Sequence, residues 1–156
     1  MKIFRILFIF TLLFTSCENG EDKIINDKLI NGYSLPVEGG IQSAYIKNDE
    51  NIIYIFNIKH NNLFSICSGK VNKINNGRVE INCKSKEKII YFNIKNIVVN
   101  EGDKLKAGEK FAELENASSS DSARYNVNII FYKDKDNLDE SLTYHEFEKY
   151  IVNEKG

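Results

Sequence analysis

The residue types that could do chemistry in this chain are few and lie far apart. The chain has two histidines and three cysteines among 156 residues. Zinc sites in proteins are built from imidazole, thiolate and carboxylate groups that converge on one point. His60 falls in a predicted turn and His145 in the predicted C-terminal helix, so we expect both to be surface side chains, and Glu50 with one distant histidine does not make a metal site. These residues therefore predict no metal site.

The first cysteine, Cys17, ends an export signal. Two basic residues precede a short apolar run over residues 6–14, which is too short for a comfortable membrane-spanning helix. The Leu-Phe-Thr-Ser-Cys stretch at residues 13–17 resembles a bacterial lipobox of the relaxed, spirochaete-like kind. That resemblance implies removal of residues 1–16, acylation of Cys17 (palmitate among the chains) and anchoring of the exported protein to the cell envelope, on the periplasmic face or the outer surface.

A β-hairpin is predicted around the Asn-Asn-Gly turn at residues 75–77. This turn separates two alternating runs, residues 67–74 and 78–83, as hairpin turns do. A three-residue loop places Val71 on the same face as Ile81 and pairs the two.

The other two cysteines, Cys67 and Cys83, lie on this hairpin. Because an exported compartment permits a disulfide, their register matters. The predicted register pairs Gly69 with Cys83, which leaves Cys67 diagonal to Cys83 at about 7–8 Å. That separation is marginal for a bridge. We therefore predict buried free thiols, with a disulfide as the alternative, and expect no reactive cysteine because no electropositive setting surrounds either one.

The remaining pattern divides the chain into four parts. After the signal, residues 17–34 are polar and predict a flexible tether. Residues 35–135 consist of short strand-like runs separated by turn residues, which indicates a mainly antiparallel sandwich or barrel. In residues 136–156, the helical spacing of Leu138, Leu142, Phe147 and Ile151 predicts one C-terminal helix, with Asp136-Asn137 as its N-terminal cap. The net charge of −1, without a basic segment, argues against nucleic-acid binding.

Residues 90–114 carry the most specific pattern. Tyr91 lies in a predicted strand that is followed by Gly102-Asp103 and Gly108. This segment resembles the LytM domain of M23-type metallopeptidases, in which a Tyr-x-His-Leu strand precedes a Gly-Asp-x-Val-x-x-Gly turn. Asn93 stands where the family has a zinc-site histidine.

The resemblance covers most of the mature chain, residues 36–140. Residues 36–43 are similar to the family's Pro-Val-x-Gly-x-Ile-x-Ser opening, and residues 63–71 to its Val-x-Ala-x-x-x-Gly-x-Val segment. Asn-Val-Asn-Ile-Ile at residues 126–130 stands where active members have His-Leu-His-Phe-Glu. The resemblance implies a barrel-sandwich hybrid fold.

The family's His-x-Gly-Ile-Asp-Ile motif aligns with residues 50–55, which puts Glu50 at the histidine and Tyr54 at the aspartate. A rival alignment uses Asn57-Ile58 and supplies no ligand pair either. Because an asparagine amide is a weak neutral ligand and no general base, the asparagines cannot rebuild the zinc site. The resemblance implies a groove without metal or other cofactor, lined by Glu50, Tyr54, Tyr91, Asn93, Asn126 and Asn128. Drift of an Asn-rich chain is the alternative explanation of these asparagines.

A second resemblance is to biotinyl/lipoyl carriers and membrane-fusion adaptors, over residues 97–109. A carrier needs an exposed lysine for modification on a tight hairpin, and none follows Leu114. An adaptor needs a long helical hairpin, for which this chain has no room. Both functions are disfavoured.

The leading expectation is thus a non-catalytic, lipid-anchored envelope protein. Degenerate members of the LytM family bind peptidoglycan or regulate cell-wall hydrolases, so these are its expected partners, beside the membrane. The alternative is a structural or interaction lipoprotein that uses the β domain as a protein-binding platform, on the cell surface or in the periplasm. A zinc metalloendopeptidase is the minor alternative, and zinc content would distinguish it.

Overall fold

A computed structural model of the chain describes residues 29–30, 32–39, 41, 44–46, 52–116, 125–143 and 146–147. The predicted signal peptide, Cys17, Glu50 and His145 lie outside the described residues, as do residues 117–124 and the end of the predicted helix. Among the residues described, no helix is long and apolar enough to cross a membrane.

The described chain is built from short antiparallel strands, as the sequence predicts. They are β1 (Leu29–Ile30), β2 (Tyr33–Ser34), β3 (Ala44–Ile46), β4 (Ile53–Ile58), β5 (Asn62–Phe64), β6 (Gly69–Asn75), β7 (Arg78–Cys83), β8 (Lys88–Phe92), β9 (Ile94–Lys95), β10 (Lys104–Leu105), β11 (Lys110–Leu114), β12 (Tyr125–Asp134) and β13 (Asn137–Ser141).

Eight of these strands form one large sheet. Its order is β10-β6-β7-β8-β12-β4-β3, and β13 pairs with β12. A second sheet has the order β5-β11-β9, and β1 with β2 makes a two-stranded ribbon. The all-β fold class is therefore confirmed.

The core lies between the large sheet and the three-stranded sheet. Alternation along the strands of the large sheet buries one face, as with Val127, Ile129 and Phe131 on β12. The two layers meet where the ring of Tyr91 on β8 packs edge-on against Phe111 on β11, with centroids 5.0 Å apart. Both rings are fully buried, and the opposite face of the large sheet, which we term the open face, carries half-buried side chains such as Phe92 and Asn128.

The predicted hairpin register is confirmed at both pairs, Val71 with Ile81 and Gly69 with Cys83. Its loop is shorter than predicted, because Asn75 pairs with Arg78 and leaves a two-residue turn. A β-bulge between Val71 and Lys73 restores the register by adding one residue to β6.

The prediction of free thiols is wrong, since Cys67 and Cys83 form a disulfide. The prediction extended β6 straight back to Cys67, whereas the chain bends over residues 66–68 before β6 begins. That bend brings the two Cα atoms to 5.7 Å, well inside the range for a bridge.

The C-terminal segment also differs from the prediction. Leu138 lies in β13 rather than in a helix, because residues 137–141 pair with β12. Helix begins only at Glu146 among the described residues, behind a reciprocal cap in which Glu146 Oε2 accepts from the Thr143 backbone N at 2.9 Å. The Thr143 hydroxyl in turn accepts from the Glu146 N at 3.3 Å. A Thr-x-x-Glu box, and not the predicted Asp136-Asn137, therefore starts the helix.

The end of the predicted tether is ordered as well. Tyr33 donates from its hydroxyl to Glu87 Oε1 at 2.8 Å, and its ring lies 6.3 Å from that of Phe131. The Ser34 N donates to the Ile66 carbonyl at 2.8 Å. A half-buried aromatic ring and a backbone hydrogen bond thus attach residues 33–34 to the domain.

Candidate binding face of the large sheet

Asn126 and Asn128 both lie on the open face of the large sheet. They alternate along β12 with Val127 and Ile129, which are buried in the core, and each is half-buried. Of the two, Asn128 has direct cross-strand neighbours on both sides, Tyr54 on β4 and Phe92 on β8. Directly opposed side chains share a face at about 4.5–5.5 Å between Cβ atoms. The structure therefore brings together two predicted residues, Tyr54 and Asn128.

The same line of pairs continues across the sheet. Phe92 pairs with Arg78 on β7, and Arg78 pairs with Asn75 on β6. The Arg78 guanidinium carbon lies 5.1 Å from the centre of the Phe92 ring, a cation–π arrangement. These five residues form what we term the cross-strand row: Tyr54, Asn128, Phe92, Arg78 and Asn75.

Asn126 is displaced from this row by a bulge. Tyr125 pairs with Ile58 and Val127 with Ile55, so the register between β12 and β4 shifts beside Asn126. Asn126 thus flanks the cross-strand row on the side of β12 toward Tyr125.

Asn93 follows Phe92 but leaves the strand. Its φ of 60° is left-handed, a conformation that asparagine tolerates better than most residues. The side chain is exposed, and the Asn93 carbonyl accepts from the Glu115 N at 3.3 Å. Asn93 therefore lies at the end of β8, close to the cross-strand row and next to Glu115.

Tyr91 does not belong to the groove that the resemblance implied. It pairs with Ile129, faces the core and is fully buried. Its hydroxyl accepts from the Ile66 N at 2.9 Å and hydrogen-bonds to Ser65, and burial raises the pKa of Tyr91. The alternation along β8 explains the correction, because Tyr91 and Phe92 must point to opposite faces. Tyr91 holds the bend that carries Cys67.

A charge network lies beside the cross-strand row. Glu80 is nearly buried and accepts from Arg78 Nη2 on one oxygen at 2.6 Å and from Lys88 Nζ on the other at 2.7 Å. Burial alone would raise the pKa of Glu80, but the hydrogen bond from Lys88 and the charges of Lys88 and Arg78 outweigh it and lower the pKa. Glu80 is therefore ionised at neutral pH, and its one carboxylate forms ion pairs with both Arg78 and Lys88.

A cavity of about 620 Å³ opens at the Arg78 end of the cross-strand row. Its walls come from the β6–β7 turn, from the end of β8 and from the residue after β11; they are Asn75, Asn76, Gly77, Arg78, Phe92, Asn93, Ile94 and Glu115. Gly77 permits this arrangement, because it has a φ of 65° and a Cβ there would lie 3.3 Å from the Ile94 carbonyl oxygen. A second cavity of about 370 Å³ lies on the other side of the turn, along residues 94–97.

The donor set on this face does not suit zinc. Tyr54, Asn93, Asn126 and Asn128 offer a phenol and amides in place of imidazole, thiolate and carboxylate. Within the described ranges, no three His, Cys, Asp or Glu side chains come close enough to hold a metal ion. His60 lies elsewhere, exposed, with Nδ1 3.4 Å from Glu38 Oε2.

Sequence reasoning missed Phe92 and the two residues beyond it in the cross-strand row. The family motif includes the position of Asn93 but not that of Phe92, although Phe92 alternates along β8 with the buried Tyr91. Because the turn has two residues and not the predicted three, Arg78 pairs with Asn75. Cross-strand pairing of β8 with β7 is the signal that the sequence alone did not provide.

Comparison with known proteins gives a fold but no close relative. No family model and no curated protein matches the chain. Among solved structures, a zinc-containing peptidase from Vibrio cholerae superposes with a TM-score of 0.50 and 16% identity, over 64% of this chain and 36% of that one. Lysostaphin superposes with a TM-score of 0.53 and 13% identity, over 73% of this chain and 52% of its own.

The catalytic domain of lysostaphin from Staphylococcus simulans superposes with a TM-score of 0.51 and 18% identity, over 78% of this chain and 92% of that domain. This chain therefore spans about a third of the Vibrio peptidase, about half of lysostaphin and nearly all of the lysostaphin catalytic domain. At these identities the likeness concerns the fold alone. The chain has the fold of the lysostaphin and LytM peptidase domains.

Proposed function

We propose that this protein is a non-catalytic, lipid-anchored envelope protein whose LytM-like domain binds peptidoglycan through the cross-strand row. The observation that carries the proposal is the position of Asn128, which has Tyr54 directly opposite on one side and Phe92 on the other. By the family resemblance, Asn128 and Tyr54 stand at former ligand positions.

The chemistry of these side chains suits a peptide or glycan. An asparagine amide can donate and accept at once, which matches the amide groups of peptides and N-acetyl sugars. Aromatic side chains supply apolar contact area and, in tyrosine, a polar hydroxyl. Neither type of side chain supplies a general base near neutral pH, which supports binding without hydrolysis.

The anchor rests on the sequence around Cys17. Acyl chains contribute about 0.8 kcal/mol per buried CH₂, and several chains on one cysteine hold a protein firmly at a bilayer. Labelled palmitate should enter the wild-type protein and not Cys17→Ala; label in that variant would refute anchoring at Cys17. An anchored domain that holds peptidoglycan would lie where cell-wall hydrolases act and could regulate them.

Cosedimentation of the mature protein, kept in mild detergent, with purified sacculi tests the binding. We expect the wild type to sediment with sacculi and the double variant Tyr54→Ala with Asn128→Ala to lose about tenfold or more in affinity, since each lost buried contact costs on the order of 1 kcal/mol. Asn100→Ala is the matched control, because Asn100 is an exposed asparagine in the loop before β10.

Two results would contradict the proposal. If the wild type stays in the supernatant, the protein-platform alternative replaces it. If the purified protein holds stoichiometric zinc and cleaves muropeptides, the protein is an enzyme and the non-catalytic assignment fails.

A further inference from the structure

The 620 Å³ cavity at the Arg78 end of the cross-strand row has opposite charges on its walls. Arg78 lies on one side, half-exposed at 38% of its side chain, and the exposed Glu115 lies on another. Of the residues described, none forms an ion pair with Glu115. A cavity with one cation and one anion on its walls complements a ligand that carries both charges.

Positive charge remains available on the Arg78 side. Arg78 and Lys88 share the single carboxylate of Glu80, so the three groups together carry one net positive charge. Only Nη2 of the Arg78 guanidinium is used by Glu80, and its Nε is buried with no partner among the described residues. Five N–H donors in a planar fork leave Arg78 capacity for a second carboxylate.

The walls between the two charges are fixed in place. The Phe92 ring holds the guanidinium at 5.1 Å, and the Glu115 N is bonded to the Asn93 carbonyl at 3.3 Å. Asn93, which lines the cavity, has a left-handed backbone and an exposed side chain. Backbone conformations of this kind carry a cost and cluster at ligand sites. The cavity is thus held in shape by bonds that do not involve a ligand.

From this arrangement we infer that the cavity binds the free end of a short peptide that bears one carboxylate and one ammonium group, with the carboxylate at Arg78 and the ammonium at Glu115. The inference rests on the proposed function, since Phe92 belongs both to the cavity and to the cross-strand row. It adds a substrate class: uncrosslinked stem-peptide ends that terminate in a diamino acid, in preference to crosslinked or amidated ones.

The probe is the synthetic peptide N-acetyl-L-alanyl-γ-D-isoglutaminyl-L-lysine, which has one carboxylate and one ammonium group. Its C-terminal amide lacks the carboxylate, and its Nε-acetyl form lacks the ammonium. Titration of the ¹⁵N-labelled mature protein should show about tenfold or weaker affinity for each blocked form, because charge-assisted bonds exceed neutral ones. Equal affinity of wild type for all three peptides overturns the inference without any substitution.

Substitutions of Arg78 and Glu115 then test which residue binds the carboxylate and which binds the ammonium group. Arg78→Gln should lower affinity for the free acid about tenfold and leave affinity for the C-terminal amide unchanged, and Arg78→Lys should restore part of the loss. Glu115→Gln should lower affinity for the free amine and not for the Nε-acetyl form. Lys104→Gln removes an exposed cation at the sheet edge and is the control. A loss in Arg78→Gln that is the same for acid and amide peptides would refute a carboxylate contact.

Sacculus binding, measured in parallel, separates this inference from the proposed function. Sacculus binding that depends on Asn128 but is indifferent to Arg78→Gln, with no preference among the peptides, refutes the cavity assignment alone. Absence of both sacculus and peptide binding refutes both.

Discussion

Asn128 has the most informative surroundings of any residue in the domain. Its strand neighbours Val127 and Ile129 are fully buried, while Asn128 itself is half-buried between an aromatic residue on each adjacent strand. A polar amide between two aromatic residues offers a ligand a hydrogen-bond donor and acceptor beside apolar contact area. Under the proposed function Asn128 is a binding residue, whereas under drift of an Asn-rich chain its substitution would leave sacculus binding unchanged.

Tyr91 leads to a prediction about stability. Tyr91→Phe keeps the ring that packs on Phe111 but removes the acceptor of the buried Ile66 N–H. An orphaned buried donor costs about 1–3 kcal/mol, so we expect the free energy of unfolding to fall by that amount. Urea unfolding monitored by far-UV circular dichroism measures it.

Tyr132→Phe is the control for this measurement. Tyr132 is half-buried on the open face of β12, so its change should stay within about 0.5 kcal/mol. Equal effects of the two substitutions would show that the Tyr91 hydroxyl contributes nothing specific.

At the scale of elements, the hairpin of β6 and β7 is held at both ends, by a disulfide at one and by a backbone hydrogen bond at the other. The Cys67–Cys83 disulfide closes its open end, and at the turn the Ile94 N donates to the Gly77 carbonyl at 3.3 Å. Arg78 lies on this hairpin, beside the turn. Fastening the hairpin therefore fixes one wall of the cavity.

A second prediction concerns the contribution of the Cys67–Cys83 disulfide to stability. The bridged cysteines are 16 residues apart, and a loop of that length corresponds to about 3 kcal/mol of stability in the chain-entropy model. Cys67→Ala with Cys83→Ala should lower the free energy of unfolding by about that amount. Thiol titration of the unreduced, denatured protein should find neither cysteine free; two reactive thiols from these positions would contradict the bridge.

The elements also show what the sequence could and could not predict. Apolar alternation placed Val71 and Ile81 on one face, and the two residues pair as predicted because the β-bulge between Val71 and Lys73 compensates for a turn one residue shorter than predicted. The disulfide depended on a bend that is held from a distance by the Tyr91 hydroxyl, which periodicity does not reveal. The helical spacing was overridden at residues 137–141 by a local hairpin with β12, in which Asp134 pairs with Asn137 across a two-residue turn. Turn chemistry at Lys135-Asp136 therefore decided this segment against its helical periodicity.

At the scale of the whole molecule, the chain has the fold of the lysostaphin and LytM peptidase domains. The likeness to the lysostaphin catalytic domain spans 78% of this chain at 18% identity, so the backbone arrangement is shared although most side chains differ. A fold does not determine a function, which depends on the groups placed on it. Along the cross-strand row those groups are amides, aromatics and one arginine.

The most direct test of the account is the response of individual side chains to soluble muropeptides. In the ¹⁵N-labelled mature protein, we expect titration to shift the side-chain amide signals of Asn128 and Asn93 and the backbone signals of Tyr54, Phe92 and Arg78. The signals of the buried Tyr91 and of the exposed Asn100 should move little. Absence of shifts at saturating muropeptide, or shifts confined to residues away from the cross-strand row, would contradict the claim that this face binds peptidoglycan.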